Sequence, residues 1–99
     1  MNKTSEQLAA ELAQALEDTK AVDVRTYDVR GKSGFTDFFV VATGAAAPHL
    51  KALVKALPKA YRVSGDPESG WIVSDYIDVV VHVFSAEARA YYALEKLWV

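Results

Sequence analysis

Two β-rich runs, Trp71 to Tyr76 and Val79 to Phe84, are separated by only Ile77 and Asp78. A parallel pair needs a crossover of a dozen or more residues, so these two runs must close as an antiparallel hairpin. Any fold available to the chain is built around that pair. Within the second run His82 is the one polar side chain, and it shares a strand face with Val80 and Phe84, so it is expected to be buried.

The remaining elements follow from periodicity. Thr4 and Gln7 form a capping-box pattern ahead of Leu8, Leu12 and Leu16, which recur at helical spacing. Val22, Val24 and Thr26 alternate with Asp23 and Arg25, the pattern of a half-buried strand at or near a sheet edge. Gly31, Lys32, Ser33 and Gly34 break into a loop, and Phe38 to Thr43 is a continuous apolar run that suits a strand covered on both faces.

Pro48 then falls where a first helical turn tolerates it, followed by Leu50, Leu53, Val54 and Leu57, with Pro58 ending the helix. Tyr61 to Ser64 reads as a short strand before a turn-rich segment. Ser85 is an N-cap with Glu87 in the first turn, and Tyr91, Leu94 and Trp98 mark one face of a last helix. The order α-β-β-α-β-β-β-α predicts one α/β domain over residues 1–99, a mixed sheet with helices packed on it.

Composition narrows the function classes. The chain has no cysteine, which removes disulfides, thiolate metal sites and thiol nucleophiles. A net charge of −2 gives no global field for nucleic acid, so any RNA contact must be local. The apolar runs fall far short of the ~20 residues that span a bilayer. Glu6 and Glu11 are unlike a secretory signal, and a cytoplasmic protein is expected.

Several constellations carry more than one reading. Asp75 and Asp78 could hold a divalent metal, but they are three apart across a turn, whereas catalytic carboxylates on one strand face are two apart. Turn and surface roles fit them better. His82 could be a general base, yet no second histidine or cysteine stands near it in sequence, and a hydrogen-bonded structural histidine is the favoured reading. Thr43 and Gly44 could precede a phosphate-binding helix N-terminus, but one glycine without a fingerprint is more often a tight turn.

Lys51, Lys55, Lys59 and Arg62 form a basic ridge opposite the leucines of the second helix. It reads as a solvated face, or as a peripheral RNA backbone contact without interleaved aromatics for base stacking. Trp71 and Tyr76 bracket a strand with Asp75 and Asp78 at its exit, which suits either a protein-binding hot spot or, for Trp71, the core.

Three phrases read together go further: Thr36-Asp37-Phe38-Phe39-Val40-Val41-Ala42-Thr43-Gly44, then Gly70-Trp71-Ile72-Val73-Ser74-Asp75-Tyr76 running into Asp78-Val79-Val80-Val81-His82-Val83-Phe84, then Ala88 to Trp98. In this order and spacing, across nearly the whole chain, they resemble the ribosomal silencing factor family, also called Iojap. The resemblance implies a fold similar to nucleotidyltransferases without their active site, no reaction and no cofactor. It also implies repression of translation under nutrient limitation. The expected partner is the large ribosomal subunit, bound through its ribosomal protein number fourteen where the small subunit docks, so that joining is blocked sterically. Carried over residue by residue, the binding surface would be Trp71, Asp75, Tyr76, Ile77 and Asp78, with the acids facing basic groups.

The chain departs from the family pattern at Ile77, where glycine is common. A β-branched residue tolerates positive φ poorly, so a different turn geometry is expected. Ala45, Ala46, Ala47 and Pro48 replace a more polar Thr-Ser-Ser-Arg segment and remove hydroxyl caps. Two other readings compete: a small nucleotidyltransferase-like metal-dependent enzyme using Asp75, Asp78 and His82, and a homodimer formed through the tyrosines and tryptophan of the last helix.

Overall fold

A computed structural model of the protein describes residues 3–32, 34 and 36–98. The elements are α1 (Ser5–Asp18), β1 (Val22–Asp28), β2 (Phe38–Gly44), α2 (Ala47–Ala56), β3 (Arg62–Asp66), β4 (Trp71–Asp75), β5 (Val79–Ser85) and α3 (Ala86–Tyr92), with 3₁₀ turns at Pro67–Ser69 and Leu94–Leu97. The order read from the sequence is the order observed. Ser33, part of the expected loop, lies outside the described residues.

The strands form one mixed sheet in the order β1-β2-β5-β4-β3. β2 and β5 run parallel at its centre, and every other neighbouring pair is antiparallel. The central position explains the two near-continuous apolar runs, since both faces of these strands are covered. On one face Phe38, Val40, Ala42, Val79, Val81 and Val83 pack against Leu12 and Leu16 of α1 and Leu50 and Leu53 of α2. On the other, Phe39, Val41, Val80 and Phe84 lie under α3 and the C-terminal 3₁₀ turn.

The two long helices start differently. At α1 the Thr4 hydroxyl accepts the Gln7 N–H at 3.0 Å and the Gln7 side chain accepts the Thr4 N–H at 2.9 Å, completing the capping box. Ala46, the N-cap of α2, has no such side chain. His49 compensates: its Nδ1 accepts the Ala45 N–H at 2.8 Å, which leaves the proton on Nε2 to be donated to the Thr19 carbonyl at 2.8 Å. One imidazole therefore ties the start of α2 to the end of α1.

Gly44 ends β2 for a packing reason. A Cβ there would sit 2.6 Å from Cδ2 of Leu50 and 3.1 Å from Cδ1 of Leu53, so the glycine lets α2 close onto the sheet.

Two expectations are corrected. The last helix does not run through to Trp98: Ala93 is left-handed at φ 49°, α3 ends at Tyr92, and a 3₁₀ turn follows in a new direction. In β1 the alternation is interrupted because Asp23 has φ 51° and the register shifts between Val22 and Arg25. Val24 still packs toward α1 and α2, while Val22 and Thr26 are exposed.

Candidate functional site

The hairpin places the five sequence-expected residues at two ends of β4. Trp71 and Asp75 share a face with Val73 between them, because side chains two apart in a strand point the same way. Tyr76 turns to the opposite face, against the core beneath α1 and α2. Ile77 and Asp78 are exposed at the tip. Asp75, Tyr76, Ile77 and Asp78 thus form one compact corner, with Trp71 at the far end of the strand.

That corner is tightly specified. The Asp75 carboxylate accepts the Ile77 N–H at 2.7 Å, and the Tyr76 carbonyl accepts the Asp78 N–H at 2.9 Å. With Ile77 at φ 75°, this i→i+2 bond marks the strained form of the γ-turn. The expectation that a β-branched residue would move the turn out of positive φ is corrected. The surrounding bonds hold Ile77 in that conformation: the Tyr76 N–H to the Val79 carbonyl at 2.8 Å, and the Asp37 N–H to the Asp78 carbonyl at 2.9 Å. The Tyr76 hydroxyl donates to the Pro58 carbonyl, and burial pushes its pKa up. Among the described residues neither Asp75 nor Asp78 forms an ion pair, so both charges stand beside an exposed aliphatic side chain.

Trp71 is half-buried within an aromatic layer. Its ring lies 5.1 Å from Phe84 and 4.6 Å from Tyr92, and its Nε1–H donates to Nδ1 of His82 at 3.1 Å. Trp98 stacks on Phe39 at 4.1 Å and 6°, beside the same imidazole. Burial pushes the His82 pKa down to about 4. The histidine is neutral, bonded and enclosed, in keeping with the structural reading. Asp75 pairs in register with Val80, two residues from His82 on β5, and no group of three or more His, Asp or Glu side chains placed to hold a metal occurs among the described residues.

The break at Ala93 builds a second constellation. It turns Glu95 back so that Arg89 Nε and Nη2 meet its carboxylate at 2.7 and 2.9 Å. Nη1 of Arg89 also reaches the Asp23 carbonyl and the Thr43 hydroxyl, each at 2.8 Å, and the Tyr27 hydroxyl donates to Glu95. The Arg89 hydrogen bonds hold the Glu95 carboxyl below its ordinary pKa. This clasp pins the C-terminal turn, and with it Trp98, across β1 and β2. Beside it is an open cavity of about 590 Å³ lined by Val22, Arg25, Thr43, Ala93 and Lys96.

The model of the family described as "Ribosomal silencing factor during starvation" matches residues 2–99. The chain belongs to that family. A ribosomal silencing factor of Halalkalibacterium halodurans is 34% identical over 96% of this chain and 88% of its own length. One from Treponema pallidum is 38% identical over 91% and 88%. A crystal structure of a Chromobacterium violaceum protein superposes with a TM-score of 0.86 at 30% identity, covering 97% of this chain and 87% of that one. The chain is also 33% identical to the chloroplast protein Iojap of Zea mays over 91% of its length, spanning 42% of that longer protein.

The ribosomal silencing factors are ribosome-associated repressors of translation, a regulatory family. Within this member, sequence reasoning reached the hairpin corner but missed the clasp. Arg89 and Glu95 are six apart, a spacing that an unbroken helix would place on divergent faces. Nothing at Ala93 marks the chain reversal, since alanine favours helix and has no special affinity for the left-handed region.

Proposed function

We propose that this ribosomal silencing factor binds the large ribosomal subunit through ribosomal protein number fourteen, by the surface formed by Trp71, Asp75, Tyr76, Ile77 and Asp78. There it sterically blocks the small subunit from joining under nutrient limitation. It acts in the cytoplasm and catalyses no reaction. The observation that carries the reading is the hairpin corner itself: two carboxylates that form no ion pair among the described residues flank an exposed Ile77 on a rigid turn. A charge-complementary basic surface would gain both orientation and encounter rate from such a corner. Trp71, anchored by His82 and Phe84, supports β4 from behind and offers its remaining exposed edge.

The cleanest test keeps the turn while removing its charge. Asp75→Asn retains an acceptor for the Ile77 N–H, and Asp78→Asn leaves the backbone bonds of Asp78 intact. The double variant should keep the wild-type melting temperature and bind purified ribosomal protein number fourteen at least tenfold more weakly, the scale of two lost charge contacts. Undiminished binding by the folded double variant would refute this surface. A homodimer is a separate reading, favoured by Tyr91 and Leu97, which are 82% and 76% exposed on the C-terminal segment. Concentration-dependent sedimentation that Leu97→Ser abolishes would support it, and a monomer at all concentrations would dismiss it.

A further inference from the structure

On the side of the sheet that carries α2, a groove of about 620 Å³ runs between that helix and β3. Val54, Val63 and Ile72 supply apolar lining, Lys51 and Lys55 stand along the helix side, and Glu68 lies opposite. Val63 is 53% exposed, although it sits in a strand. β3 is the outermost strand, so its outer edge presents unpaired N–H and C=O groups over residues 62–64 before Gly65 bends away at φ 86°. Gly65 cannot carry a side chain here, because a Cβ would lie 2.2 Å from the Trp71 carbonyl oxygen.

We infer that this groove and strand edge form a second docking site, for an extended acidic and apolar segment of a partner protein. Such a segment would lie along residues 62–64 as an added short strand, and alternate side chains would then point to opposite sides. On the side facing α2, apolar side chains would drop toward Val54 and Val63, and carboxylates between them on that same side would meet Lys51 and Lys55. Arg62, on the opposite sheet face, would meet an acid at an intervening position. Among the described residues none of these three cations is in an ion pair. The charge of the rim therefore selects an acidic occupant, and the apolar lining selects a polypeptide over an RNA backbone. The groove opens on the α2 side of the sheet, to which Ile72 and Val63 point, while Trp71 and Asp75 point away from it; the two surfaces meet only at Arg62, the register partner of Asp75.

The test uses the full chain and a fluorescein-labelled decapeptide of repeating Val-Glu-Glu-Glu, in which valine and glutamate alternate along one face of the strand and glutamate fills the other, read by anisotropy and by amide chemical shifts. The peptide should bind saturably and more weakly as salt rises, and should shift the resonances of Lys51, Val54, Val63 and Ser64. Lys51→Glu/Lys55→Glu, two exposed positions that leave the fold intact, should weaken it by about tenfold or more. Equal binding by a valine and lysine decapeptide, or shifts confined to other surfaces, would overturn the inference. So would oligouridylate binding at Lys51 and Lys55 without peptide binding, or the same shifts arising when the protein alone is concentrated, which would assign the groove to RNA or to a second copy.

Discussion

The indole N–H of Trp71 donates to Nδ1 of His82 at 3.1 Å, across the ladder between β4 and β5. The bond needs Nδ1 to be unprotonated, so the imidazole carries its single proton on Nε2. Protonating the ring would replace an acceptor with a donor facing a donor, inside an aromatic layer. Burial already disfavours the charged form, and the two effects act in the same direction.

Acid stability follows from that relationship. The folded pKa of His82 is pushed down to about 4, against 6.5 for a free histidine. The unfolded chain therefore binds a proton as pH falls through 6.5 while the native chain does not. The stabilisation is complete above pH 6.5, falls between 6.5 and 4, and is flat below. The loss is on the order of 3 kcal/mol. His82→Gln, which offers an amide oxygen to Trp71, should remove this component, read as the difference between the two proteins' urea-unfolding profiles against pH. Parallel profiles would contradict the assignment.

The strained turn gives a gain rather than a loss. Ile77 at φ 75° bears a cost of about 1–2 kcal/mol that glycine does not. Ile77→Gly should raise unfolding free energy by about 1 kcal/mol, since glycine's greater unfolded-state entropy offsets part of the relief. Ile77→Val should leave it near the wild-type value. If Ile77→Gly also weakens binding to ribosomal protein number fourteen, the exposed side chain contributes contact that outweighs its strain.

Removing one side of the clasp should be costly, because Arg89 and Glu95 are both partly buried and bonded to each other twice. Glu95→Gln leaves Arg89, whose side chain is 11% exposed, without its carboxylate. The loss should be about 1–3 kcal/mol. Amide exchange over residues 93–98 should quicken well before exchange in β2 and β5. Uniform acceleration across the sheet would mean the clasp does not secure the C-terminal turn separately.

Much of this fold was readable because its strongest signals are local. Ile77 and Asp78 leave no room for anything but a hairpin, and the runs at Phe38 to Thr43 and Val79 to Phe84 announced the two central strands. The capping box at Thr4, the N-cap at Ser85 and the breaker at Pro58 act within one turn of their own position. What stayed hidden depends on partners far apart in sequence. His49 replaces the missing cap of α2 by reaching Thr19, and Trp71 could not be assigned to core or surface until His82, Phe84 and Tyr92 converged on it. Ile77 and Ala93 take positive φ against their own preferences, and the bonds that brace them include the Asp37 N–H to the Asp78 carbonyl and the Arg89 hold on Asp23 and Thr43.

The most direct test of the central proposal is a sucrose gradient of purified large and small ribosomal subunits under joining conditions, with and without the protein. The wild-type chain should keep the subunits apart and migrate with the large one, while Asp75→Asn/Asp78→Asn should restore joined ribosomes. Joined ribosomes forming normally beside the wild-type protein, or the protein migrating with the small subunit alone, would contradict it.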